Sequence, residues 1–201
     1  MSENEEKESF MAKRSLLTLQ IAGGAIFGAL SIVVAGLTAP FLPRIPGWGM
    51  TWYDPISLIW ITCFLIFGPI AGILCCIIGS IGLAIFDPTV IGSVFKFLAT
   101  IPLIIIPTLM LKLHKREKGE FKSKKLKDPK NFIITGVLSI AVRIGLMIIA
   151  NVIFFMIFVE YFEFANLSII GLGNITGWTA IIIFTIIVNA YQGALDLLIP
   201  Y

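Results

Sequence analysis

The sequence predicts an all-α integral membrane bundle of six transmembrane helices with both termini in the cytosol. Hydrophobic residues make up 58% of the 201 residues and charged residues only 13%, whereas about half and about a quarter are usual in soluble domains. Nine basic residues nevertheless fall within one segment, 112–130, between long apolar runs. Lipid must therefore be the solvent for most of the chain, and the basic segment indicates its orientation.

The apolar runs divide the chain into a cytosolic tail, 1–14, and one transmembrane domain, 15–201. Three runs reach the roughly 20 residues that cross a bilayer, and they predict helices one, four and five at 16–38, 92–113 and 131–159. We expect helix one to be retained, because the tail is acidic as well as basic and no small-residue cleavage site follows. Since polar and apolar residues do not alternate, a β-barrel is excluded.

Two further apolar stretches require a finer division. The Gly68-Pro69 pair splits 54–86 into a short helix two and a helix three, because proline lacks the N–H donor and disfavours helix in the preceding residue. Near the C-terminus we expect helix six to begin near Ile182, with 174–181 as an outer cap or partial helix. A start at 175 is the alternative, and it would move Asn189 and Gln192 toward the cytosol.

The basic segment between helices four and five is expected to face the cytosol, because membrane proteins retain positive loops there. The N-terminus, four crossings earlier, then lies on the same side. The opposite loops, 38–54, 86–91 and 160–174, contain a single basic residue, Arg44. We therefore expect a multi-pass protein of the cell membrane, with the basic loop at the lipid headgroups of the bilayer and no nucleic-acid partner.

Most catalytic chemistry is not expected. The only histidine, His114, lies in the basic loop, so a Ser–His dyad cannot form within the membrane. No phosphate-binding glycine-rich loop is present. Cys63, Cys75 and Cys76 fall inside predicted helices and are expected to pack as small apolar residues rather than bind metal. The sequence thus predicts a protein that is not an enzyme and has no cofactor or metal site.

Polar residues inside the predicted helices are the candidates for function, because ionisable groups at membrane depth cost about 2.5–3.5 kcal/mol and usually face a partner or cavity. Lys96 either reaches the outer interface or points into an outward-facing pocket. Arg143 lies deeper, so we expect an internal partner such as a carbonyl, Gln20 or another subunit. The amides Asn151, Asn189 and Gln192 serve either helix packing or ligand binding.

Aromatic residues accompany these amides in the predicted helices and in the first outer loop. They form either an interfacial belt or the walls of a cavity for a flat heteroaromatic ligand. The residues are Phe154, Phe155, Phe158 and Tyr191 in the helices, and Trp48, Trp52 and Tyr53 in the loop.

Helix one carries a small-residue surface. Ala22, Ala25 and Ala29 follow helical spacing, with Gly24 and Gly28 beside them. Small residues allow another helix to approach closely. This surface is either a docking face for a partner or a contact within the chain.

Together these features resemble the substrate-binding S component of an energy-coupling factor (ECF) vitamin transporter. The resemblance covers most of the chain from Ser15 onward. It rests on Ala25-x-x-x-Ala29, Phe67-Gly68-Pro69-Ile70-Ala71-Gly72, Asp87-Pro88-Thr89-Val90-Ile91-Gly92 before Lys96-Phe97-Leu98-Ala99, Asn151-Val152-Ile153-Phe154 and Asn189-Ala190-Tyr191-Gln192. The last three blocks are most similar to the riboflavin-binding branch, although Lys96 stands where that branch more often has a neutral amide.

The resemblance implies capture of a small water-soluble vitamin at the outer face, riboflavin first and folate or pantothenate next. It also implies a transmembrane T component and two cytosolic ATPase subunits as partners. The implied vitamin contacts are Lys96, Asn151, Asn189, Gln192, Trp52 and Asp87, and the implied docking surface is Ala22, Ala25 and Ala29. A ligand-free membrane scaffold or accessory subunit and a stand-alone secondary transporter stay open as alternatives, although the chain shows no convincing internal repeat.

Overall fold

The computed structural model describes residues 3–45, 48, 51–87, 90–111 and 122–201. This part of the chain is a bundle of α-helices. Five of its helices are long and apolar enough to cross a membrane, and the sixth, α2, is apolar but shorter. The helices are α1 (Glu3–Thr38), α2 (Pro55–Phe67), α3 (Pro69–Phe86), α4 (Ile91–Met110), α5 (Pro129–Ile157) and α6 (Gly177–Leu198).

The predicted break between helices two and three is confirmed. α2 ends at Phe67 and α3 begins at Pro69, and between them Gly68 has a φ of +97°, which side chains with a Cβ rarely adopt. The start of α2 is equally well defined: Asp54 caps it, since its Oδ1 accepts a hydrogen bond of 2.9 Å from the Ile56 N–H. Pro55 follows at a position where a missing N–H costs nothing.

Glycines allow α1 and α3 to pack closely. A Cβ on Gly24 would lie 2.8 Å from the Ala71 carbonyl oxygen, and one on Gly28 would lie 2.8 Å from Ile78. The pairs advance together along both helices, so α1 and α3 run in parallel. α2 joins this unit through Trp60, whose Nε1 donates a hydrogen bond of 3.0 Å to Ser31 Oγ.

The second half of the bundle is formed by α4, α5 and α6. α5 and α6 run antiparallel: Gly193 of α6 lies against Ile140 and Arg143 of α5, while Gly136 lies against Leu197. Each of these glycines lies against side chains of the other helix, and the missing Cβ again permits close approach. α2 contacts both α4 and α6, which places its first turn between the two halves.

The structure corrects one predicted boundary. α1 continues back to Glu3 as a helix, while its apolar span, Arg14–Thr38, begins close to the predicted residue 16. α6 begins at Gly177 rather than near Ile182, close to the alternative start at 175. Before it, residues 159–176 form two short 3-10 helices and a two-stranded antiparallel sheet, β1 (Asn166–Leu167) and β2 (Leu172–Thr176). This sheet was not predicted; its strands are too short to show an alternating pattern.

The basic loop is described only in part. Lys122–Lys127 form a 3-10 helix, and Asp128 caps α5 by accepting from the Lys130 N–H at 3.1 Å. Residues 112–121, which include His114, lie outside the described residues.

Candidate functional site

A chain of four charged side chains and one serine crosses the interior where α2, α4, α5 and α6 meet. Asp54 Oδ2 lies 2.8 Å from Lys96 Nζ, and Lys96 Nζ donates to Ser57 Oγ at 2.9 Å. Ser57 Oγ donates to Asp196 Oδ1 at 2.5 Å. Asp196 Oδ2 in turn lies 2.7 Å from Arg143 Nη1. We call these five residues the charge network; its two carboxylates and two cations sum to no net charge.

Burial makes the pairing in the charge network obligatory. The side chains of Arg143 and Asp196 are 1% and 5% exposed, and those of Lys96 and Asp54 are 12% and 19% exposed. An unpaired charge in such surroundings costs several kcal/mol, whereas a pair with additional hydrogen bonds offsets most of that cost. Burial of Arg143 and Asp196 therefore makes separation of this pair costly, which keeps the network together.

Amides extend the network along α6. Arg143 Nε donates to Asn189 Oδ1 at 3.1 Å, and Nη2 lies 3.4 Å from Gln192 Oε1. Gln192 Nε2 then donates to the backbone oxygen of Thr51 at 2.9 Å. Because the guanidinium has donors in a fixed fork, it fixes which end of each amide faces it. Arg143 thus orients both amides and, through Gln192, ties the first loop, 39–54, to α6.

The first loop also packs against the bundle through Trp48. Its ring stacks on Phe184 with centroids 3.8 Å apart and lies edge-on to Phe155 at 6.3 Å. Its Nε1 donates to the Asn166 backbone oxygen at 3.2 Å. Ile45, which is 1% exposed, belongs to the same apolar cluster. Trp48 and Ile45 of the loop therefore pack against α6. The sequence had offered Trp48 as part of either an interfacial belt or the wall of a cavity.

Tyr53 lies at the loop end of the charge network. Its partial burial, followed by the nearby carboxylates of Asp196 and Asp54, raises the pKa of its phenol above the ordinary value. The phenol is therefore neutral at physiological pH and can donate a hydrogen bond.

The structure brings together three of the six predicted ligand contacts, namely Lys96, Asn189 and Gln192. Asn151 is buried but donates to the Met147 backbone oxygen of its own helix at 2.8 Å. Asp87 caps α4 by accepting from the Ser93 N–H at 3.2 Å. Trp52 is 39% exposed. The ammonium of Lys96 pairs with Asp54 within the chain, so it has a carboxylate partner, and both alternatives for its position stay predictions.

Asp54, Ser57 and Asp196 were not predicted as site residues, and Arg143 was predicted only to have an internal partner. Its partners are Asp196 and the two amides, while the Gln20 amide lies close to Gly68 instead. A signal for Asp196 was present in the sequence. Positions 189, 192 and 196 follow the spacing that places side chains on one face of a helix.

The two alternatives for helix one apply to different faces of α1. Gly24 and Gly28 are buried against α3, while Ala22, Ala25 and Ala29 are exposed. The glycines therefore serve packing within the chain, and the alanine face is left without a contact in the described part of the chain.

The three cysteines, Cys63, Cys75 and Cys76, are free and fully buried in the apolar core of α2 and α3. Within the described residues, no group of three or more potential metal ligands comes together.

Comparison of the chain with protein-family models, with curated proteins and with solved structures finds no match. The function of the site must therefore be inferred from the geometry of the charge network, the first loop and the alanine face.

Proposed function

We propose that this protein is the vitamin-binding subunit of an ECF-type importer, with six transmembrane helices and both termini in the cytosol of the cell. One observation carries the proposal: polar residues from four helices converge beneath the first loop, and Gln192 binds the loop backbone directly. Polar groups are retained at membrane depth where they serve a substrate or a moving element. We place the ligand beneath this loop, which is joined to the bundle by the Gln192 amide, the Asp54–Lys96 ion pair and the Trp48 ring.

The balance of charge in the network favours an uncharged vitamin. Lys96 and Arg143 are each already paired with a carboxylate. An anionic ligand such as a folate or pantothenate would have to displace one of those carboxylates and leave it buried without a partner. An uncharged ligand with a flat ring would take over hydrogen bonds that Asn189 and Gln192 now make within the chain, and it would leave no buried charge unpaired. Riboflavin, which has both features, is therefore the first candidate.

The exposed alanine face of α1 supports the proposed partners. Ala22, Ala25 and Ala29 lie on the side of the helix that does not face α3, so another helix can approach them closely. We assign this face to a transmembrane T component, with two cytosolic ATPase subunits supplying the energy for release.

The test is to purify the full chain in a mild detergent and identify retained small molecules by mass spectrometry, alongside a fluorescence titration with riboflavin. We expect one retained vitamin and quenching of flavin fluorescence. Asn189→Ala and Gln192→Ala should weaken binding, while Thr108→Ala, which removes a hydroxyl bonded within its own helix and outside the predicted site, is the control. Folded protein that binds no member of a vitamin panel would refute the proposal.

A ligand-free membrane scaffold is the second candidate, and a specific observation favours it. The side chains of the charge network bond to one another and to the chain, so packing alone could account for them. In that case Lys96→Ala and Asn189→Ala should lower thermal stability equally with and without added vitamin. If either variant loses a stabilisation that vitamin gives the wild type, the scaffold function is excluded.

A further inference from the structure

Trp48 fills a slot whose walls are built for a flat ring. Phe184 covers one face of the indole at 3.8 Å with an interplanar angle of 17°, and Phe155 presents an edge at 76°. Around these rings lie Ile45 and Leu167, which are almost completely buried. Stacked and edge-to-face contacts are the two arrangements that aromatic rings prefer, so the slot makes a favourable contact of each kind with the ring that it holds.

The slot also has a polar edge. The Asn166 backbone oxygen accepts a hydrogen bond of 3.2 Å from the indole N–H. Asn166 begins β1, which pairs with β2 ahead of α6. A carbonyl oxygen beside an aromatic slot favours a ring that carries an N–H donor on its edge.

We propose that Trp48 is an internal surrogate for the ligand: its indole occupies the slot that receives an uncharged, planar heteroaromatic ring with an N–H on its edge. On binding, the ring of the ligand replaces the indole in the slot. The Asn166 backbone oxygen then accepts a hydrogen bond from the N–H of the ligand instead of the N–H of the indole. This inference rests on the proposed function and specifies the ring-binding part of its site.

Competition by Trp48 has a measurable consequence. A ligand that must displace a stacked and hydrogen-bonded ring binds with an apparent affinity reduced by the fraction of molecules in which the slot is vacant. Removing the indole should therefore raise the affinity. We expect a gain of about tenfold, corresponding to one aromatic stack and one hydrogen bond.

The experiment compares the wild type with Trp48→Ala in fluorescence titrations with lumichrome, a neutral tricyclic ring with N–H edges, and with riboflavin. Phe41→Ala is the matched control, since Phe41 lies in the same loop and is 84% exposed. We expect Trp48→Ala to bind lumichrome about tenfold more tightly and Phe41→Ala to bind like the wild type. Adding Phe184→Leu to Trp48→Ala should abolish the gain. Trp48→Leu replaces the alanine variant if that variant does not fold.

A second measurement needs only the folded wild type and Trp48→Phe. Lumichrome should increase quenching of tryptophan emission by iodide in the wild type, because the indole leaves the slot, and should leave the quenching of Trp48→Phe unchanged. Unaltered quenching in both proteins at saturating lumichrome overturns the proposal.

The outcomes separate this inference from the proposed function. If riboflavin binds the wild type but Trp48→Ala gains no affinity for either probe, the inference about the Trp48 slot is refuted and the proposal of vitamin capture is retained. If no vitamin of the panel binds either protein while lumichrome binds Trp48→Ala more tightly than the wild type, the inference about the slot is supported and vitamin capture is refuted. If folded Trp48→Ala does not bind lumichrome, the slot is overturned regardless of the vitamin result.

Discussion

The Arg143–Asp196 pair should be the most sensitive point of the charge network. In Asp196→Asn, an amide of nearly the same shape replaces the carboxylate, so the change removes a charge with little loss of packing. Arg143, whose side chain is 1% exposed, is then left with a buried charge and only neutral partners. Breaking a buried pair from one side costs about 3–5 kcal/mol. For a chain of this size, about 2–4 °C of melting temperature corresponds to each kcal/mol, so a loss of roughly 6–20 °C is expected.

Two companion variants isolate the effect of burial. Asp54→Asn makes the same carboxylate-to-amide change in the Lys96 pair, where both side chains are more exposed and asparagine still caps α2. Because these side chains are partly exposed, Asp54→Asn should cost less than Asp196→Asn, about 1–3 kcal/mol, between the values for surface and buried pairs. Arg143→Met combined with Asp196→Asn removes the uncompensated charge and should recover much of the stability lost in Asp196→Asn alone.

Thermal unfolding in a mild detergent, followed by the loss of monodisperse protein on size-exclusion chromatography, measures all three variants under one condition. The reasoning is refuted if Asp196→Asn melts no lower than Asp54→Asn. It is also refuted if the double variant is less stable than Asp196→Asn, because the cost would then arise from packing rather than from the charge.

Three further predictions concern the rest of the bundle. Gly79→Ala places a Cβ in collision with Trp60 Nε1 and should lower the free energy of unfolding by about 1–3 kcal/mol. Gly145→Ala, where a Cβ meets nothing within 4 Å, should be neutral or slightly stabilising. The pKa of Tyr53 is higher in the folded state than in the unfolded state. The stability that this residue contributes is therefore complete below the unfolded-state pKa and is lost as pH rises through the folded-state pKa. Between about pH 9 and pH 11, the melting temperature of Tyr53→Phe should therefore fall less than that of the wild type. Identical plots of melting temperature against pH would contradict the assignment. Ala25→Leu on the exposed face of α1 should keep the wild-type melting temperature and vitamin binding but abolish ATP-dependent uptake by the complex with the proposed partners. Gly24→Leu on the face toward α3 should instead lower the melting temperature. Unimpaired uptake by Ala25→Leu would contradict the docking assignment.

Several features of the bundle follow from local chemistry and were therefore predictable. The α2–α3 break lies where a glycine that can adopt positive φ directly precedes a proline. Proline alone does not decide it, since Pro102 and Pro107 lie inside α4. The membrane character depends only on the length of the apolar runs. The start of α6 was predicted wrongly, because its boundary depends on the two-stranded sheet that precedes Gly177.

The composition and order of residues alone thus establish a helical membrane chain, the break at Gly68-Pro69 and the small set of polar side chains that are costly to bury in a membrane. Only the tertiary structure decides their partners. Asp54 and Asp196 are far apart in the chain, and each could have faced water at a helix end; close packing of α2, α4, α5 and α6 instead excludes water and pairs them with Lys96 and Arg143. Likewise, nothing in the loop sequence indicates that Trp48 would stack on Phe184. Such contacts join residues distant in sequence, and a pattern that repeats along one helix carries no information about which helix will be its neighbour.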